Sequence, residues 1–193
     1  MQQLWSFEND GTSRGGIFSN IQPVGYQVWG NENIVVMFVL GSNETPATLQ
    51  IGDLRTGEVK VLAENPGRSI QKVPGRHAVS FVRKTDQNNW WIDVYDIDTG
   101  EFTRLLSTLP TREDYAWMPN GSILMGDGSK LFQALSARSK LDQVSTGVDA
   151  SLGPHLQWTE IADLSNAGVG DITRLAVNNA GTLLAIVSNR ENN

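Results

Sequence analysis

The chain of 193 residues contains no cysteine, which excludes disulfides, thiolate metal sites and a cysteine nucleophile. The compartment stays open, because oxidising compartments also hold cysteine-free proteins. Histidine is nearly absent, with His77 and His155 the only imidazoles. Basic charge is scarce too: 15 Lys and Arg stand against 21 Asp and Glu, a net charge of −6. Phosphate backbones and anionic membranes need clustered Lys and Arg, so no nucleic acid partner is expected. The longest apolar run, IVVMFVL from Ile34 to Leu40, falls far short of the roughly 20 residues of a membrane helix. The opening residues, MQQLWSFENDG, lack a basic start and an apolar export stretch. They read like the interior of a strand, and the expectation is a chain that begins mid-domain.

Apolar residues make up 39% of the chain, with six Trp and six Phe, a globular composition. The organising signal is a repeat. DLRTGEVKVL (Asp53 to Leu62) lies over DIDTGEFTRL (Asp96 to Leu105), pairing Asp53 with Asp96, Thr56 with Thr99, Gly57 with Gly100 and Glu58 with Glu101. The same 43-residue offset carries Val36 onto Val79, Phe38 onto Phe81 and Val39 onto Val82. A period of this size belongs to propeller blades or helical arrays. The segments NIVVMFVL, HAVSFV and WWIDVYDI are short, β-branched and aromatic, bounded by Gly, Asn, Asp and Pro, and so are strands.

Four strands per period are expected near 25–29, 34–40, 48–53 and 58–62, and again near 69–73, 77–83, 90–96 and 101–106. A third set is expected near 114–117, 122–126, 130–135 and 158–164. Ile172 to Val187 supplies two strands only. LWSFENDGTSRGGIF supplies a complementary hairpin turning at Asn9-Asp10-Gly11.

Asp98-Thr99-Gly100 spells the active-site tripeptide of aspartic proteases, but its counterpart upstream is Arg55-Thr56-Gly57. A position that accepts Arg in the sister repeat serves a turn, with Gly supplying positive φ and Asp bonding nearby amides. A protease lobe also needs a second such loop to share its proton. GRSIQ (Gly67 to Gln71) lacks the final glycine of a nucleophile elbow. Ser69-Ile70-Gln71-Lys72 would need a helix to bring Ser69 and Lys72 together, and it reads as a strand. His77 aligns with Ile34 and suits a strand end, while His155 looks like a loop residue; neither has acidic residues at ligand spacing. GDGSK (Gly126 to Lys130) is a hairpin signal at Asp127-Gly128. DVYDID (Asp93 to Asp98) alternates acids in a strand, placing them on one face, without the spacing of a calcium loop. Trp90-Trp91 should point to opposite faces. An exposed Trp would mark a contact site; the plainer expectation is that adjacent sheets cover both. Ser136 to Pro154 is polar and aperiodic, a surface insertion. No catalytic, cofactor-binding or metal-ligating residue is expected, and no cofactor.

YAWMPNGSILM and LAVNNAGTLLAIV resemble the Trp-Ser-Pro-Asp-Gly-Lys-x-Ile-Ala-Phe motif of TolB-like propellers with WD40-like (PD40-type) repeats. Trp117, Pro119, Asn120 and Gly121 match it, with Asn in place of Asp; in the last repeat Gly181 and the strand after it match. The resemblance implies an all-β fold, a β-propeller of four-stranded antiparallel blades. The chain 1–193 is then a single propeller domain: half-blade 1–20, blade 22–66, blade 68–110, blade 111–168 with its insertion at 136–154, and half-blade 169–193. Such family members are usually six-bladed, extracytoplasmic and non-catalytic, and bind partner proteins. The expectations are therefore a periplasmic or extracytoplasmic setting and a non-enzymatic scaffold for a protein or peptide partner, with this chain the C-terminal part of a longer protein. The alternative is the propeller portion of a prolyl-oligopeptidase-like hydrolase whose catalytic domain lies elsewhere. A sugar- or metal-binding propeller enzyme would need clustered His or carboxylates. The expected core is Val36, Phe38, Val79, Phe81, Trp117 and Leu184. An open arc is favoured over a closed four-bladed ring, because Tyr115 and Trp117 would crowd a tight axis; its unpaired ends would allow self-association.

Overall fold

The strands of the described residues group by sequence neighbourhood into five antiparallel sheets. The structure, a computed structural model, describes residues 2–86, 89–135, 141 and 157–190. The chain opens with the hairpin of β1 (Leu4–Phe7) and β2 (Ser13–Ile17). The first blade holds β3 (Val24–Trp29), β4 (Ile34–Val39), β5 (Thr48–Asp53) and β6 (Val59–Glu64). The second holds β7 (Pro66–Lys72), β8 (Ala78–Lys84), β9 (Trp90–Asp96) and β10 (Phe102–Ser107). The third holds β11 (Tyr115–Trp117), β12 (Ile123–Asp127), β13 (Lys130–Ala134) and β14 (Thr159–Asp163). A short 3-10 turn, Ser165–Ala167, leads into the hairpin of β15 (Val169–Val177) and β16 (Leu184–Arg190).

β4 shows why the blades stack. Its sequence IVVMFV is buried at all six positions, because a sheet lies against each face of the strand. Val36 and Phe38 join Val79, Phe81 and Tyr95 of the second blade. Val35, Met37 and Val39 meet Leu4, Phe18 and Ile21 on the other side. A fully buried Val or Phe side chain contributes about 1.5–3 kcal/mol, so repeated faces of this kind hold the stack together.

The 43-residue register reappears as backbone geometry. The Asp53 carboxylate accepts from the Arg55 amide at 2.8 Å, and Asp96 from the Asp98 and Thr99 amides at 3.1 and 3.0 Å. Gly57 and Gly100 both sit at φ 74°. Asp98 is therefore a turn residue, and the acid that bonds the amides is Asp96.

The second and third blades share a polar tie. Tyr115 and Trp117 are buried, and both donate to the Ser80 hydroxyl at 2.8 Å. Instead of crowding an axis, the two rings fill the seam between blades.

The arc is open: among the described residues no hydrogen-bonded ladder joins the β1–β2 sheet to the β15–β16 sheet. The N-terminal segment docks on the first blade, where the Val24 amide donates to the Gln2 carbonyl at 3.1 Å. Five of the six expected core residues are buried, but Leu184 is only partly so, since the last hairpin has a neighbour on one face alone. Another expectation fails at Asp93, which does not share a face with Asp96: it is buried beside Arg83, while Asp96 lies at the turn. Two residues an odd number apart in a strand face opposite ways. Of the 136–154 insertion only Leu141 belongs to the described residues, and it is buried in the core of the second and third blades.

Candidate functional site

Antiparallel alternation gathers the first residues of the inner strands, the blade-to-blade connections and the second-to-third strand turns at one end of the arc. At that end the connection between β10 and β11, residues 108–114, meets the start of β7 and the middle of β15. The segment reads Thr111-Arg112-Glu113-Asp114, with Thr111 at φ 60°, in the left-handed region that non-glycine residues rarely occupy.

Each charge here has a partner. Arg68 Nε donates to Glu113 Oε1 at 2.6 Å, and Lys84 Nζ reaches Glu113 Oε2 at 2.5 Å. Arg174 donates to Asp114 and, at 2.8 Å, to the Thr173 carbonyl. Arg112 spans two acids, donating to Asp127 Oδ1 at 2.9 Å through Nε and to Asp171 Oδ1 at 2.8 Å through Nη1. The network thus ties the second blade to the third and the third to the last hairpin.

Between these groups lies a cleft of about 140 Å³, lined among others by Arg68, Arg112, Glu113, Asp114, Ile172 and Arg174. Its carboxylates lie deeper than their cationic partners. The side chains of Glu113 and Asp114 are 12% and 18% exposed, those of Arg68 and Arg174 50% and 38%. Burial would raise the Glu113 pKa, but hydrogen bonds from Lys84 and Arg68 outweigh it and hold the carboxyl below its ordinary value. For Asp114 burial wins: its pKa is raised, Arg174 opposing and the neighbouring Glu113 charge adding to the shift. Adjacent carboxylates pushed in opposite directions mark this cleft electrostatically.

The residues that sequence motifs singled out are scattered. Ser69 is buried in β7, its hydroxyl 3.4 Å from the Tyr115 carbonyl. His77 is exposed at the start of β8, its Nδ1 3.3 Å from Asp98 Oδ2. These two lie apart in role as well as place, since Ser69 packs between blades and His77 lies at a turn. His155 lies outside the described residues. Asp127 and Lys130 flank the β12–β13 turn, with Gly128 at φ 57°. Trp90 is half-buried, donating from Nε1 to the Asp86 carbonyl at 2.9 Å with Lys84 Nζ 4.4 Å from its ring centre. Trp91 is half-buried beneath the Arg104 guanidinium, 5.0 Å from its ring centre. Among the described residues no group of three or more His, Asp or Glu could hold a metal ion.

Sequence reasoning passed over Arg68, Arg112, Glu113, Asp114 and Arg174. The available signal was the run of three charges at 112–114 directly before the buried Tyr-x-Trp strand. Its partners come from 45 and 60 residues away, a pairing that only the stacking of blades reveals.

No protein-family model and no curated protein matches this sequence. Solved structures do. TolB from Acinetobacter baumannii superposes with a TM-score of 0.61 at 14% identity, over 98% of this chain and 43% of that one. The hydrazine synthase of Kuenenia stuttgartiensis gives 0.61 at 10% identity, over 98% and 65%. A putative gluconolactonase gives 0.56 at 11% identity, over 97% and 64%. The chain therefore spans less than half of the TolB length and just under two thirds of the others. At such identities the likeness establishes architecture: the chain is a β-propeller arc whose fold resembles that of TolB-like propellers.

Proposed function

We propose that the chain is a non-enzymatic propeller scaffold that binds a protein or extended peptide at the cleft beside Arg68, Glu113, Asp114 and Arg174. One observation carries this reading: guanidinium groups from β7 and β15 stand outward at the rim, held in place by carboxylates set behind them. Guanidinium groups present several hydrogen-bond donors in a fixed fork, and a peptide's carbonyls and carboxylates are matching acceptors. The chain 1–193 acts in this reading as a single propeller domain. The resemblance to TolB-like propellers supports an extracytoplasmic setting and a protein partner.

The test is calorimetric titration with an extended peptide rich in Asp and Gly, beside a Lys-rich peptide of equal length. Binding of the acidic peptide, weakened at least tenfold in Arg68→Ala/Arg174→Ala, is expected. Equal binding of both peptides, or no effect of the double substitution, would remove the cleft from the function. The runner-up is the propeller portion of a prolyl-oligopeptidase-like hydrolase whose catalytic domain lies elsewhere, and a hydrolase domain encoded in the same reading frame would favour it.

A further inference from the structure

The two adjacent carboxylates of the cleft are paired unequally. Glu113 has two cations, Arg68 of β7 at 2.6 Å on Oε1 and Lys84 of β8 at 2.5 Å on Oε2. A ligand that draws Arg68 away therefore leaves Glu113 with Lys84. Asp114 lacks this reserve. Among the described residues, Arg174 of β15 is its only cation at ion-pair distance.

The surroundings of Asp114 make that single pairing costly to lose. Its side chain is mostly buried, and it directly precedes the fully buried, neutral Tyr115 of β11. Around it stand Arg112 and Glu113 of its own segment and Arg68 of β7, with Arg174 of β15. Arg112 is engaged by Asp127 of β12 and Asp171 of β15. Arg68 and Lys84 are engaged by Glu113. No second cation thus stands ready for Asp114, while the Glu113 charge beside it disfavours ionisation.

A ligand carboxylate at Arg174 approaches the guanidinium that Asp114 already holds. A shared guanidinium gives Asp114 a like-charged neighbour, and a surrendered one leaves it buried without a counter-ion. Both outcomes favour the protonated acid.

We propose that the cleft binds an acidic peptide together with a proton, which Asp114 takes from solvent as Arg174 engages a peptide carboxylate. This rests on the reading of the cleft as a peptide site. On release Arg174 returns to Asp114 and the proton goes back to solvent. Burial already raises the Asp114 carboxyl in the free chain, against the pull of Arg174, so weakening that pull moves it further the same way. Affinity then rises as pH falls through the bound-state value and levels off below the free-state value. Glu113, whose carboxyl is held below its ordinary value, stays ionised.

Calorimetric titration of the full chain with the Asp- and Gly-rich peptide reads the proton when repeated in phosphate and in Tris, which differ in ionisation enthalpy. The peptide's own carboxylates ionise near about pH 4, so above about pH 5.5 they contribute no proton. Uptake approaching about one proton per peptide is expected, with affinity rising by at most about tenfold per unit as pH falls from about 8 to about 5.5. Asp114→Asn should bind at about pH 8 as tightly as wild type does at about pH 5.5, with a flat profile and no uptake. His77→Ala/His155→Ala, which removes both imidazoles, should keep the wild-type slope. Peptide binding with a flat profile and no uptake, uptake persisting in Asp114→Asn, or uptake lost with the imidazoles would overturn the inference and leave the cleft a peptide site. No binding of the peptide at any pH would remove the peptide site and this inference with it.

Discussion

Tyr115 donates its hydroxyl proton to Ser80 across the seam of the second and third blades, at 2.8 Å and fully buried on both sides. Trp117 Nε1 donates to the same oxygen, and the Ser80 hydroxyl in turn donates to the Gln71 carbonyl at 3.3 Å. One small side chain thus satisfies two large rings. Burial raises the Tyr115 pKa far above its ordinary value, against the pull of the Ser80 hydrogen bond, so the phenol stays a neutral donor.

Ser80→Ala leaves both ring donors buried without an acceptor. A buried unsatisfied polar group costs about 1–3 kcal/mol, and a loss of about 3 kcal/mol in urea unfolding is expected for the pair. A loss under half a kcal/mol, an order-of-magnitude threshold, would show that the rings find other acceptors.

Gly57 and Gly100 test the repeat itself. Each lies at φ 74°, and a Cβ meets nothing within 4 Å at Gly57 and only the Tyr95 hydroxyl, at 3.7 Å, at Gly100. Substitution by Ala therefore costs backbone conformation and not space, about 1 kcal/mol at each site. Chemical denaturation of the two variants should give similar losses. A markedly larger loss at one would show that the turns are not equivalent.

Gly126 behaves oppositely. A Cβ there would stand 2.5 Å from Ile172 Cγ2, in the contact of the third blade with the last hairpin. Gly126→Ala is expected to cost about 1–3 kcal/mol through overpacking, and Ile172→Ala in the same chain should recover part of it. Equal losses with and without the second change would argue against that contact.

The two cleft carboxylates should act oppositely on stability as pH changes. Glu113, lowered in the folded chain, contributes stability that is present above its unfolded pKa and lost as pH falls through the folded value. Asp114, raised in the folded chain, favours folding when protonated; that contribution is present below its unfolded pKa and lost as pH rises through the folded value. Denaturation midpoints across the acid range should show Glu113→Gln with a shallower acid-side loss. Asp114→Asn should no longer lose stability as pH rises from its unfolded value. Parallel pH profiles for wild type and both variants would contradict the assignment.

The blades were legible because each strand announces itself locally. Gly57 and Gly100 repeat the same turn 43 residues apart, whereas Phe38 and Phe81 meet from opposite sides of one seam, because it is Ala78 that pairs with Asp96 as Ile34 pairs with Asp53. Pattern alone could not show that Leu184 would lose its cover, since burial at a sheet face depends on whether another sheet follows. The cleft was hidden for a related reason: the partners of Glu113 and Asp114 arrive from neighbouring strands, beyond any local spacing rule. Asp93 and Asp96 stand three residues apart on one strand, so the two-residue period sends them to opposite faces.

The absence of cysteine makes the open arc directly measurable. A chain carrying Ser6→Cys and Ser188→Cys would be treated at high dilution with a short thiol-specific cross-linker and read by mass spectrometry. Disulfide-scale bridging needs Cα atoms within about 7 Å, and a short linker extends this slightly, so intrachain linkage reports β1 beside β16. Dilute monomer without an intrachain link is the expected result, because the two hairpins sit in separate sheets. Efficient intrachain cross-linking of the monomer would contradict the open arc and establish a closed four-bladed ring.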